Sequence, residues 1–207
     1  MKPKTRVLIA DDHSIVRMGL ATLLEMEDDL ELVGQSANGK AAVADALRLE
    51  PDVVVMDLMM PVLDGVEATA AIMGKMPEMK IVLFTTFPTS DLIAKALDYG
   101  AKGVVFKSAA DTELVKAIRA VASGKSYISP DVAKLLASDP PIEPLTPRQE
   151  EILGSIARGL SNSDIAKELG ITPTTVREYT IALFQKIGAA NRSEAVAIAL
   201  RKHLLKI

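Results

Sequence analysis

The sequence contains no cysteine and only two histidines, His13 and His203, each standing alone. No disulfide, thiolate nucleophile or Cys-ligated zinc is therefore possible, and a histidine-rich metal site is not expected. Long apolar runs are also missing, for nothing approaches the roughly 20 residues that a membrane helix needs. Near the N-terminus, Lys2, Lys4 and Arg6 precede an apolar run of only Val7 to Ala10, too short for a signal peptide. There is no internal repeat and no low-complexity tract. The expectation is a cytoplasmic protein with no membrane partner. What is present is ordinary for a globular chain: 207 residues, 49% apolar and 25% charged, enough for one or two domains.

The net charge of −3 conceals an asymmetry. Residues 1–144 hold 15 Lys and Arg against 21 Asp and Glu, whereas residues 145–207 hold 9 against 6. An acidic front and a modestly basic tail point to two modules with different partners. Five of the eleven prolines fall between Pro130 and Pro147, and residues 138–144 read as a stiff, extended linker. The expected division is a first domain over 1–125, a linker over 126–144 and a second domain over 145–207.

The first 125 residues alternate between two periods. Short β-branched runs at 5–10, 30–36, 53–57, 81–85 and 104–106 predict five strands. Helical spacing at about 14–27, 39–49, 65–75, 91–99 and 111–123 predicts five helices. Asp64 with Glu67 forms a capping-box pattern, Ser90 precedes the next helix, and Gly100 follows it. Strands alternating with helices argue for an α/β fold, a five-stranded parallel sheet covered on both faces. The last 63 residues show no strand pattern and predict four helices. Thr146-Pro147-Arg148-Gln149, Ser161, Thr172-Pro173 and Asn191 mark their starts, and Gly159 and Gly170 mark two of their ends. The tight turn at Gly170 makes the second and third of them a helix-turn-helix.

In an open parallel sheet, sites form at the carboxyl ends of the strands. Here those positions carry Asp11 and Asp12, Asp57, Thr85 and Lys107. Taken singly, each has an ordinary reading as a cap, a turn residue, a sheet residue or a solvated charge. Together they place three carboxylates, a hydroxyl and an ammonium on one edge. Three close carboxylates repel unless a cation is present, and Mg²⁺ suits few carboxylates with room for water. Such a site can clamp a phosphoryl group, with Lys107 neutralising one oxygen, Thr85 donating to another and Asp57 as acceptor.

Residues 4–124 resemble the receiver domain of bacterial two-component response regulators. The matching segments are Leu8-Ile9-Ala10-Asp11-Asp12-His13, Asp57 through Gly65, Thr85 and Gly103-Val104-Val105-Phe106-Lys107. The resemblance implies a flavodoxin-like fold and phosphorylation of Asp57 from a sensor histidine kinase. It implies Mg²⁺ held by Asp12, Asp57 and the backbone carbonyl of Met59, with Asp11 acting largely through water. Thr85 and Lys107 become the residues that contact the phosphoryl group. The chain is then no enzyme beyond catalysing its own phosphoryl transfer and slow dephosphorylation. One position departs: Val104 stands where receivers usually carry an aromatic. Met59 and Phe87, both bulky, are expected to flank the acyl phosphate and hinder attacking water.

The third helix of the tail, about 173–187, is the candidate recognition helix. Val176, Thr180, Leu183 and Ile187 give an inward face; Thr174, Arg177, Glu178, Ile181 and Gln185 lie opposite. On spacing alone, a protein-docking bundle and a DNA-binding module are both open. Residues 145–205 resemble the LuxR-type helix-turn-helix of the NarL/FixJ subfamily, through Leu145-Thr146-Pro147-Arg148-Gln149, Ala157 through Ala166, Thr175-Val176-Arg177 and Arg192-Ser193-Glu194-Ala195. This implies double-stranded promoter DNA as partner, read as half-sites by a homodimer formed on phosphorylation. Candidate contacts are Arg148, Lys167, Thr174, Thr175, Arg177, Glu178, Ile181 and Lys186. Arg177 suits guanine or phosphate, Glu178 cytosine, and Ile181 a thymine methyl or a neighbouring helix. Two other readings remain: a phosphorylation-independent regulator, supported by Val104, and an adaptor with weakened DNA binding, supported by Glu178 and Ile181. A Mg²⁺-dependent phosphatase is disfavoured, because Met59 stands where a second carboxylate is needed.

Overall fold

The computed structural model describes residues 3–86, 89–109 and 111–205. The chain forms two compact units, Met1–Asp139 and Pro140–Ile207.

The first unit runs β1 (Thr5–Ala10), α1 (Ser14–Glu25), β2 (Leu30–Ser36), α2 (Gly39–Leu49), β3 (Val53–Met56), α3 (Gly65–Lys75), β4 (Lys80–Thr85), α4 (Ser90–Asp98), β5 (Gly103–Phe106), α5 (Asp111–Ala122), β6 (Tyr127–Ile128) and α6 (Pro130–Ser138). The sheet order is β2-β1-β3-β4-β5-β6, and every pairing is parallel. Strand alternation sorts the apolar side chains onto two faces. Leu8, Val54, Met56, Ile81 and Leu83 pack with Ala42 and Ala46 of α2, Ile72 of α3, and Ile93 and Ala96 of α4. Val7, Ile9, Val53, Val55 and Val82 face the other way, against Leu20 and Leu24 of α1 and Leu114, Ile118 and Val121 of α5. Both faces being covered explains why these strands read as continuous apolar runs.

Two expectations are corrected here. The sheet has six strands, not five, because Tyr127 and Ile128 pair with Gly103 and Val104. The stretch expected as linker over 126–144 therefore contributes β6 and α6 to the first unit. Pro130 begins α6 rather than a linker, since proline at the first helical turn has no N–H to lose. Val132 of α6 is fully buried, with Leu135 and Leu136 packed against the same core. Helix α4 starts one residue earlier than its pattern suggests. Thr89 is its N-cap, accepting from the Leu92 N–H at 3.3 Å. The Ser90 hydroxyl is thereby left to donate to Asp139 Oδ2 at 3.2 Å, joining the start of α4 to the end of α6.

The second unit is helical: α7 (Pro147–Ala157), α8 (Asn162–Leu169), α9 (Pro173–Ile187) and α10 (Arg192–Arg201). Thr146 and Gln149 close a reciprocal capping box at α7. Ser161, Thr172 and Asn191 cap the other three. Gly170, left-handed at φ +65°, stops α8 and turns the chain into α9. Ile152, Leu153, Ile165, Val176, Leu183 and Ile198 lie in one buried cluster. No helix among the described residues is long and apolar enough to cross a membrane.

Candidate functional site

Strands β1 and β3 are neighbours, with Ala10 opposite Met56 in register. The next residues, Asp11 and Asp57, therefore emerge side by side at the carboxyl edge. The Asp57 N–H donates to the Ala10 carbonyl at 2.8 Å, which fixes that juxtaposition. Asp11 and Asp57 are 1% and 4% exposed, so each carboxylate needs a partner. Strand β5 delivers it. The Lys107 N–H bonds the Thr85 carbonyl, and Lys107 Nζ lies 2.7 Å from Asp57 Oδ2 and 2.5 Å from Asp11 Oδ2. Burial lowers the pKa of this ammonium. Its pairing with Asp11 and Asp57 outweighs burial, and the net shift is above the usual lysine value.

One polar side chain here lacks a partner among the described residues. Thr85 Oγ1 is buried and makes no hydrogen bond among the described residues, whereas the buried Asp11 Oδ2 and Asp12 Oδ1 meet the Lys107 ammonium at 2.5 Å and the His13 ring at 2.7 Å. Leaving a buried hydroxyl unpaired costs about 1–3 kcal/mol, so the fully buried Thr85 marks a place where another acceptor belongs. Asp11, Asp12, His13 and Asp57 each offer a ligand atom, all within 4.8 Å of one another. His13 enters this set although its isolation in the sequence argued against a metal role. It is the N-cap of α1 and makes no side-chain capping bond. Its adjacency to two aspartates at a strand end was the signal that could have found it. Arg17 was also missed: its Nη1 donates to the carbonyls of Asp11 at 2.7 Å and Asp12 at 3.1 Å, bracing the end of β1.

The β3–α3 loop passes close beneath Asp57. A Cβ on Gly65 would lie 2.0 Å from the Asp57 carbonyl oxygen, and one on Gly39 would lie 2.2 Å from that of Leu63. Only glycine fits either approach. The Met59 N–H donates to Asp57 Oδ1 at 3.3 Å, and its side chain is 48% exposed beside the site. Phe87 lies outside the described residues. Asp64 caps α3 by accepting from the Glu67 N–H at 2.7 Å. Between them Val62 adopts φ +72° while the Leu63 N–H reaches the Pro61 carbonyl at 2.9 Å, a γ-turn centred on a β-branched residue.

In the second unit, Val176, Leu183 and Ile187 of α9 are buried and Thr180 is half-buried. Thr174, Arg177, Glu178, Ile181 and Gln185 are exposed on the opposite face. Thr175 is half-buried and its N–H bonds the Thr172 cap at 3.1 Å. Lys167 is exposed on α8. Two candidate phosphate contacts already have partners. Lys186 Nζ donates to the Pro144 carbonyl at 2.7 Å, and Arg148 pairs with Glu151 at 2.8 Å.

Comparison with known proteins joins these two sites. Residues 7–119 match the family model described as response regulator receiver domain. Residues 143–199 match that of the bacterial regulatory proteins, luxR family. The transcriptional regulatory protein LiaR of Bacillus subtilis is 38% identical over 97% of this chain and 99% of its own length. The chain belongs to the two-component transcriptional response regulators. Among solved structures, RcsB from Salmonella enterica serovar Typhimurium, bound to promoter P1flhDC in the presence of the phosphomimetic BeF3−, superposes with TM-score 0.73. Its sequence is 28% identical, over 96% of this chain and 98% of that one. A structure of two RcsB dimers bound to two parallel DNAs gives 0.71, with the same identity and the same shares.

The first unit of this response regulator is thus a receiver and the second a luxR-family helix-turn-helix domain. Its receiver has Val104, fully buried, at the position where the family usually carries an aromatic. Val104 belongs to the cluster that also holds Val132 of α6 and Ile93 and Ala96 of α4. The Ser129 N–H donates to the Val104 carbonyl at 3.0 Å, so β6 and α6 lie directly beside this residue.

Proposed function

We propose that this regulator is switched by Mg²⁺-dependent phosphorylation of Asp57, with a sensor histidine kinase as donor, and that the switched form binds promoter DNA as a dimer through α9. The observation that carries this reading is the buried Asp57 carboxylate facing Lys107 and the Asp11–Asp12 pair on one strand edge. The donor set suits Mg²⁺: carboxylate oxygens of Asp12 and Asp57 with Asp11 behind them, joined by the Met59 carbonyl that the resemblance nominates. Asp11 Oδ2 and Asp12 Oδ1 are both buried at this edge, and carboxylates in such close company favour a cation. When bound, Mg²⁺ would supply positive charge that offsets the charge of phosphoryl oxygens.

The chain's own residues do the rest. An Asp57 oxygen attacks phosphorus, and the bond from phosphorus to the donor nitrogen breaks with its electron pair going to that nitrogen. Lys107 stays protonated and pairs with a phosphoryl oxygen. The Thr85 hydroxyl gains the acceptor it lacks. The product carries about two negative charges, which biases the β4–α4 region between two arrangements. The regulator is no enzyme in any wider sense: it catalyses only its own phosphorylation and slow hydrolysis.

On DNA, Arg177 has the reach for guanine or phosphate and Ile181 for a thymine methyl, while a two-fold dimer reads half-sites about one helical turn apart. RcsB, a relative over nearly the whole chain, is known bound to a promoter in the presence of a phosphomimetic and as dimers on DNA, which supports both steps. Incubation with acetyl phosphate and Mg²⁺, read by intact mass, tests the first. A phosphoryl adduct is expected for the wild type and not for Asp57→Asn or with a chelator present. An adduct retained by Asp57→Asn contradicts the assignment.

A further inference from the structure

The His13 imidazole and the Asp12 carboxylate meet in an unusual way. His13 Nδ1 lies 2.7 Å from Asp12 Oδ1 and 3.4 Å from Asp11 Oδ1. At 2.7 Å the ring nitrogen and the buried Asp12 Oδ1 are in direct contact. The His13 side chain makes no capping bond; the residue serves its helix only through its carbonyl, which accepts from the Arg17 N–H at 3.1 Å. A ring nitrogen and a carboxylate oxygen thus stand side by side at the acidic edge. With Asp11 and Asp57 they form a set whose ligand atoms all lie within 4.8 Å. Adjacent ligands of an octahedral ion with bonds of roughly 2.1 Å lie about 3 Å apart.

We propose that His13 is a ligand of the receiver's cation and makes the site a mixed nitrogen–oxygen one. This inference rests on the cation-binding reading above and deepens it. Carboxylate oxygens alone suit Mg²⁺, whereas imidazole favours the later first-row ions in the order Mn²⁺, Co²⁺, Ni²⁺. His13 therefore tilts the site towards Co²⁺ and Ni²⁺. Metal supply then becomes a second input to the same acceptor. Whichever cation occupies the site meets the phosphoryl group, and a nitrogen-ligated transition ion competes with Mg²⁺ for it.

The test is calorimetric titration of the full chain with MgCl₂ and with NiCl₂, in a buffer free of phosphate and imidazole, for the wild type, His13→Ser and His13→Asn. Serine and asparagine are both good N-caps, so α1 keeps its start. The ratio of Ni²⁺ to Mg²⁺ affinity should fall by about tenfold or more in both variants, the size expected for losing a metal-site partner. A His203→Ser control should keep the wild-type ratio. In the Co²⁺-loaded wild type, His13 ring protons should show large paramagnetic shifts. An unchanged ratio with Mg²⁺ still bound overturns the role of His13 alone. A wild type that binds neither ion overturns the cation site and this inference together.

Discussion

Lys107 Nζ donates to Asp57 Oδ2 at 2.7 Å across 50 positions of sequence, and the same ammonium lies 2.5 Å from Asp11 Oδ2. One cation thereby holds two buried carboxylates from two different strands. Lys107→Met leaves that pair facing each other without it. Breaking a buried ion pair by removing one partner costs several kcal/mol, and about 3 kcal/mol is expected here by urea unfolding at neutral pH. Added Mg²⁺ should restore part of the loss. The pH dependence has a definite sign. The folded Lys107 pKa is raised above 10.5, so its contribution is fully present below that value and fades as pH climbs through the raised one. The stability gap between wild type and Lys107→Met should therefore narrow above about pH 10.5. A gap that is negligible at pH 7 contradicts the pairing.

Val62 holds φ +72° with its side chain 78% exposed, so it stores strain and buries little. Val62→Gly removes strain of about 1–3 kcal/mol and gives back part of it as unfolded-chain entropy. A net gain of about 0.5–1 kcal/mol is expected in a denaturant melt. A loss would mean that the turn is not strained.

Val104 is fully buried in the cluster that also holds Val132 of α6. Val104→Tyr should overpack this corner, costing about 1–3 kcal/mol, and should speed amide exchange across residues 130–138. A tyrosine accepted without either effect would show that α6 does not limit this position.

Arg177 is exposed on the outer face of α9, three and four residues from Thr174 and Ile181. Arg177→Ala should lower affinity for a selected promoter fragment by about 1–3 kcal/mol, with the circular dichroism spectrum unchanged. Lys186, already bonded to the Pro144 carbonyl, should matter less when replaced by alanine. Retained affinity in Arg177→Ala removes its role.

Much of the acidic edge was readable because each of its residues ends or immediately follows a strand. A parallel sheet brings strand ends together whatever lies between them, so Asp11, Asp57, Thr85 and Lys107 could be grouped from period-two runs alone. The inward face of α9 was readable for a similar reason, since burial follows helical spacing at Val176, Leu183 and Ile187. What escaped was decided by contacts between distant segments. Pro130 looked like linker punctuation, yet it opens a helix whose Val132 completes the core next to Val104. Ser90 looked like a cap, yet Thr89 takes that task and Ser90 reaches Asp139 instead. His13 looked isolated because no second histidine accompanies it, yet Asp11 and Asp12 precede it and Asp57 comes up beside them from the neighbouring β3.

The central claim is that phosphorylation of Asp57 controls DNA binding. The most direct measurement is enrichment of genomic DNA fragments by the purified chain with Mg²⁺, with and without acetyl phosphate, alongside Asp57→Asn. The account predicts a small set of fragments captured only with the donor and lost in the variant. Capture that ignores both the donor and the substitution would contradict it, and would make this a constitutive DNA-binding regulator.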